Sequence, residues 1–372
     1  MRPAHVAVVG AGLAGAATAW QLARAGCAVT LLERRVPASP DGSSHGSARI
    51  FRYAYPDPFY ARLVVEARAD WDELERLSGM PLITPAGAVD FGAERDPAAL
   101  AAVFEQIGVE HELLGPSAAA ERWPGIAFDT DVLWHPDAGV IDAEASVEAM
   151  VRLAEADGAV VETGWVLSRV ERAPSGLRLH AVDGRVLQAD HVVVAAGGWL
   201  PALLDDLGLP VGFRARLPRF TVSQEYAYHF PYRPSGVTWP TVIHKAPGMQ
   251  VYALPGGRDA GHRGQKVAEF LGGSPLASAV EQDGRVSAAN RERVTAYVAR
   301  CLPGLEPVPY AETTCLFTMT PTEDFVLDGA DGVTVVSPCS GHGAKFAPLI
   351  GRIAAESVLG TARAPSRFLV AA

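Results

Sequence analysis

The chain has 372 residues, 49% of them hydrophobic, with 32 basic against 42 acidic side chains and a formal net charge of −10. That length is more than one core usually serves and points to two domains, while the acid excess argues against a nucleic-acid surface and leaves a small molecule as the partner. Four cysteines, Cys27, Cys301, Cys315 and Cys339, show neither metal spacing nor a dense disulfide framework, as expected in the reducing cytoplasm.

Residues 5 to 9 read as a short buried strand, 13 to 25 as a helix, and 28 to 32 as a second strand ending in Glu33. In such a unit Gly10 permits the tight turn, Gly12 lets backbone approach a pyrophosphate, Gly15 packs helix on strand, and the helix N-terminus faces the phosphates. Glu33 stands where a carboxylate accepts hydrogen bonds from a ribose. The uncharged run 5 to 23 after Arg2 mimics a signal peptide or membrane span, but glycines at fingerprint spacing make that reading poor, and other uncharged runs are shorter than the roughly 20 residues a bilayer needs. No membrane anchor is expected.

In Ser43-Ser44-His45-Gly46-Ser47-Ala48-Arg49-Ile50-Phe51-Arg52 a helical turn would put His45, Arg49 and Arg52 on one face, and two converging arginines make an anion site. Spacing alone leaves a solvated loop equally open. A long helix follows from about Asp57, its cap, to Leu77, closed by Gly79. The stretches 85 to 147 and 219 to 314 contain short strand-like runs such as 87 to 91 and 249 to 254 and suggest a mostly antiparallel second domain. Between them lie a helix from Ala143 to Ala156, strands near Val160 and Leu177, and the apolar strand through Val194 into Ala195-Ala196-Gly197-Gly198-Trp199, which returns the chain to the first domain. A last strand, 333 to 336, leads through the Gly341/Gly343 turn into a helix from about Phe346 to Leu359.

Taken singly, Lys266 reads as a surface lysine on a strand, Cys315 as a small buried hydrophobe, His342 as structural, and Lys345 as part of a turn at a helix start that already favours negative charge. Taken together, the sequence resembles the monomeric sarcosine oxidase and N-methyltryptophan oxidase family of flavoenzymes along its full length. The resemblance rests on the glycine fingerprint, Ser44-His45-Gly46 with Arg49 and Arg52, Trp123-Pro124-Gly125, Gly139-Val140-Ile141-Asp142, Ala195 to Trp199, Cys315 with Thr320-Pro321 and Asp324-Phe325, and Ser340 to Phe346.

The resemblance implies an α/β fold in which an FAD-binding Rossmann-like domain (1–84, 148–218 and 315–372) is interleaved with an α+β substrate domain on a mostly antiparallel sheet (85–147 and 219–314). It implies that Gly10, Gly12, Gly15, Glu33, Ser44, Val166, Gly197, Gly341 and Gly343 bind FAD, and that Cys315 bonds to the flavin 8α carbon through sulfur. His45 and Arg49 would lie against the ring, Lys266 beside N5 where O2 reacts, and Arg52 with Lys345 would clamp a substrate carboxylate. Tyr252, Phe270 and Phe317 would line the substrate pocket. Phe270 and Phe317 stand where sarcosine oxidases carry histidine and tyrosine, so the expected substrate is a secondary-amine amino acid bulkier or more apolar than sarcosine. It would be oxidised to an imine with release of H2O2 by a monomeric cytoplasmic enzyme. The alternatives are a same-fold flavoprotein with another electron acceptor, a multi-step oxidase of a biosynthetic intermediate, and a flavin-binding scaffold without activity. A nicotinamide dehydrogenase shares only the opening fingerprint.

Overall fold

A computed structural model describes residues 4–234 and 238–370. Its first sheet has six strands in the order Val326–Ala330, Val333–Ser337, His191–Val194, His5–Val9, Ala28–Leu32 and Val160–Glu162, all parallel except the hairpin formed by the first two. The run Val6-Ala7-Val8-Val9 is apolar at every position because both faces are covered. Val6 and Val8 pack beneath the helices Leu13–Arg24, Ala143–Ala156 and Ala347–Leu359, while Ala7 and Val9 face a three-stranded meander over residues 167–189. The last helix lies tight on the first because Gly351 has no side chain, and a Cβ there would stand 2.5 Å from Ala17.

The long helix runs Pro58–Ser78, with the Asp57 carboxylate accepting from the Phe59 amide and Gly79 closing it in the left-handed conformation at φ 67°. Its buried face, including Leu63, Val64, Ala67, Trp71 and Leu74, joins the core of the parallel sheet.

The larger sheet follows the order Ser274–Leu276, Thr221–Pro231, Gly264–Glu269, Met249–Pro255, Thr241–Ala246, Ala88–Phe91, Val132–His135 and Glu112–Leu114, and Ala311–Met319 also pairs with Thr221–Pro231. It is antiparallel except where Thr241–Ala246 meets Ala88–Phe91. Alternation along these strands sorts the side chains into two sets. Val89, Phe91, Tyr226, Tyr228, Val242, Val251 and Val267 form a core with Val294, Tyr297 and Val298 of the helix Ala288–Cys301. The register therefore turns Asp90, Ile243, Lys245, Tyr252, Lys266, Cys315 and Phe317 to the opposite face. Among the described residues no helix is long and apolar enough to cross a membrane.

Candidate functional site

A cavity of about 420 Å³ starts at the end of the parallel sheet and continues to the larger one. Gly10, Ala11, Gly12, Glu33, Arg34 and Ser44 wall one end, Trp165, Val166, Gly197 and Trp199 the middle, and Arg49, Cys315, Phe317, Gly341 and Gly343 the other end. Ten of the residues expected at a cofactor, and Phe317, expected at a substrate, thus border one space.

The glycine turn leaves no room for side chains. Gly10 has φ 99° and a Cβ there would meet Ala195 O at 2.5 Å, while a Cβ on Gly15 would meet Gly10 O at 1.8 Å. Gly15 therefore lies beneath the cavity wall and lets helix and strand touch. The Glu33 carboxylate, buried at the end of its strand, accepts from the amides of Ala11 at 2.8 Å and Arg35 at 2.9 Å, which holds it at the cavity edge with lone pairs to spare for hydroxyl donors. Ser44 Oγ accepts from the Leu13 amide at 3.0 Å and pins the 43–48 loop to the helix N-terminus. Arg34 lies 4.4 Å over the Trp199 ring, with its buried Nε unpartnered. A glycine cradle at a helix start, a terminal carboxylate, and a second end lined by a thiol and guanidinium fit the two ends of a dinucleotide flavin.

At that second end Cys315 is the cross-strand partner of Glu225, on the strand that also carries Phe317. Burial raises the Cys315 thiol above its ordinary value, opposed by Arg49 and Lys266. Lys266 is not the surface lysine its position alone suggests. It is 5% exposed, donates to Ala48 O at 3.3 Å, and is lowered to about 7 by burial and then by Arg49, against Cys315 and Asp259. His45 bonds through Nε2 to Thr314 O at 3.0 Å and is lowered to about 4 by burial, Arg49 and Lys266, so its ring is neutral at pH 7.

The expectation of a helical turn presenting His45, Arg49 and Arg52 together is corrected by the structure. Residues Arg49–Phe51 are a strand paired with Gly139–Ile141, because the segment is extended to complete a small sheet. The two arginines consequently serve different places. Arg49 donates to Ser43 O at 3.0 Å near Cys315, whereas Arg52 donates to Ala54 O and lies 3.9 Å from Asp90. Arg52 sits 5.2 Å from the ring centre of Tyr55, over which Lys345 also lies at 5.4 Å.

Lys345 is 5% exposed in the short helical turn Ala344–Phe346, and its Nζ donates to Tyr55 Oη at 3.0 Å and His342 O at 2.9 Å. Burial and then Arg52 lower it well below the usual lysine value, and among the described residues no carboxylate is bonded to it. His342, lowered to about 3 by burial and Lys345, bridges Tyr55 Oη and Glu323 O, which is a structural role. Phe270 and Phe317 sit 6.0 Å apart, and Gly341, at φ 71°, makes space for them: a Cβ there would lie 3.1 and 3.0 Å from the two rings. Tyr252 is partly buried against the cluster of Ala48, Val140 and Leu254, and burial raises its phenol.

Several polar residues were missed from sequence. Asp90 and His135 are fully buried, with Arg95 bonded to Asp90 at 2.5 Å and to Ala54 O at 2.8 Å. Burial alone would raise Asp90, but Arg95, His135 and Arg52 reverse the sign and hold it below the ordinary carboxylate range. Asp259, bonded to Ser47, lies behind Lys266. An aspartate in the otherwise apolar strand Ala88-Val89-Asp90-Phe91 was the available signal for the first of these groups.

Residues 5–357 match the FAD dependent oxidoreductase family, DAO. The monomeric sarcosine oxidase of Streptomyces avermitilis is 32% identical over 96% of this chain and 94% of its own length. The N-methyl-L-tryptophan oxidase of Salmonella newport is 29% identical over 95% and 94%. Among solved structures, the open form of NikD, an unusual amino acid oxidase essential for nikkomycin biosynthesis, superposes with a TM-score of 0.86 at 25% identity, covering 98% of this chain and 96% of that one.

Proposed function

Because this chain belongs to the FAD-dependent oxidoreductase family, we propose that it oxidises the carbon–nitrogen bond of a secondary-amine amino acid to an imine, with O2 reduced to H2O2. The observation that supports this most is the sheet face that carries Cys315 and Phe317 to one end of a cavity whose other end is the glycine turn and Glu33, with Lys266 on that same face. FAD, when bound, supplies the hydride acceptor and passes the electrons to oxygen.

Gly10, Gly12, Glu33, Ser44, Val166 and Gly197 would hold its nucleotide part, with Gly15 packing the helix beneath, and Gly341 and Gly343 would border the ring. Cys315 is proposed as the thioether link to the 8α carbon. Arg49 gives the ring end a fixed positive charge, with the neutral His45 packed beside it, and Lys266 is the ammonium that favours negative charge developing on oxygen. Arg52 offers a planar fork to the substrate carboxylate, and Lys345 adds a point charge. A carboxylate held there fixes the carbon that loses hydride. Phe270 and Phe317 favour an amine bulkier than sarcosine, with Tyr252 closing the pocket wall. A cytoplasmic monomer is the proposed setting.

The covalent link is tested on the purified yellow protein by acid precipitation and peptide mass analysis. Flavin mass on the Cys315 peptide in wild type, and colour lost to the supernatant in Cys315→Ala, is the expected pair of results. Flavin released from wild type would remove the tether from the account.

A further inference from the structure

Lys245 ends the strand Thr241–Ala246 on the face shared by Asp90, Ile243 and Tyr252. Its neighbour His244 points the other way, stacked at 4.4 Å on Phe91 in the opposite core, so alternation fixes the direction of Lys245. The side chain is half-buried, and among the described residues no carboxylate comes within ion-pair distance of it. The charges that act on it are Arg95, Arg52, Asp90 and Glu323, and burial followed by the two guanidiniums lowers its ammonium.

The charges do not balance locally. Arg52, Arg95 and Lys245 are gathered around one interior carboxylate, Asp90, which is already bonded to Arg95, and Lys345 acts on Arg52 in turn. Glu323 acts from an exposed position. A substrate's α-carboxylate on Arg52 and Lys345 leaves Lys245 unanswered, and an ammonium disfavoured by burial and two guanidiniums is restored when a ligand carboxylate pairs with it.

We infer that Lys245 is a specificity residue for a second acidic group, so that the preferred substrate is a secondary-amine dicarboxylate: an N-alkyl or cyclic amino acid whose side chain ends in a carboxylate. The register supports its dimensions. Lys245 pairs with Gln250, whose carbonyl accepts from the Phe270 amide, which puts the lysine and the Phe270/Phe317 pair at opposite ends of one row, about 10 Å or two strand spacings apart. An N-substituent lies against the rings and the side-chain acid reaches toward Lys245. This rests on the amino-acid oxidase reading.

The test compares the holoenzyme and its variants on N-methylglutamate and the neutral isostere N-methylglutamine. In wild type kcat/KM favours the acid by about 10- to 100-fold, as expected for a charge-assisted bond. The preference falls below about threefold in Lys245→Met, chiefly through KM, and returns in Lys245→Arg. A second arm needs no turnover: perturbation of the flavin spectrum by glutarate and by pentanoate, with glutarate tighter in wild type and Lys245→Arg and the difference lost in Lys245→Met. Oxidation of both amines without preference, or a preference that survives Lys245→Met, overturns the inference and leaves the oxidase reading standing. Oxidation of neither amine with a Lys245-dependent glutarate preference does the reverse.

Discussion

At the scale of single residues the site depends on lysines kept out of water. Lys266, lowered to about 7, loses its charge in the free chain as pH rises past neutrality, whereas an ordinary lysine keeps it until about 10.4. Reduced flavin, if bound there with a negative charge, would move that loss to higher pH. Air reoxidation of the reduced protein should therefore slow with rising pH at a point above about 7, and Lys266→Met should be slower by about 10²- to 10³-fold and flat across this range. Stopped-flow traces that are equal for the two proteins would exclude Lys266 from the oxygen step. Lys345 makes a different prediction, because an arriving carboxylate raises an ammonium that burial and Arg52 have lowered. Ligand binding at neutral to mildly alkaline pH should take up a proton, read as a dependence of calorimetric heat on buffer ionisation, and Lys345→Met should abolish that uptake. No uptake in wild type would mean that Lys345 keeps its charge in the empty site.

At the scale of elements, backbone contact decides which glycines are replaceable. Gly15→Ala would push a methyl to 1.8 Å from Gly10 O, where no side chain can give way, and should cost at least about 1–3 kcal/mol with loss of bound flavin. Gly212→Ala, on the short helix Val211–Arg214 with only the end of Arg216 near at 3.9 Å, should be neutral or stabilising by about 0.4–1 kcal/mol. Urea denaturation of the two variants checks both. The opening strand, helix and strand were legible because both faces are buried and the glycines have one geometric use, and the Asp57 to Gly79 helix because it carries both caps. The 43–52 segment was not, since a spacing of three and four suits a helix while the Arg49–Phe51 strand is set by its partner Gly139–Ile141, distant in sequence.

At the scale of the molecule, two sheets meet so that the end of one and a face of the other enclose a single cavity. Cys315 and Lys266 lie on different strands, joined only through Thr221–Pro231, where His229 faces Lys266 and Glu225 faces Cys315. No local pattern carries that register, so a buried lysine and a surface lysine look alike in sequence, and the resemblance rather than the spacing singled out Lys266. Asp90, Arg95 and Lys245 were passed over for the same reason: their proximity is created by the parallel pairing of Ala88–Phe91 with Thr241–Ala246. The charge they gather is how a chain with net charge −10 would offer a basic pocket to the proposed amino-acid substrate.

Whether the cavity brings a secondary-amine amino acid to FAD is decided by mixing the holoenzyme with N-methyl amino acids in the absence of air. The yellow absorbance should bleach at a rate that saturates with substrate, admitting air should restore it with one H2O2 per amine oxidised, and Arg52→Ala should weaken the apparent affinity by at least about tenfold. An absorbance that no amine bleaches, in protein shown to carry flavin, would contradict the proposed oxidation.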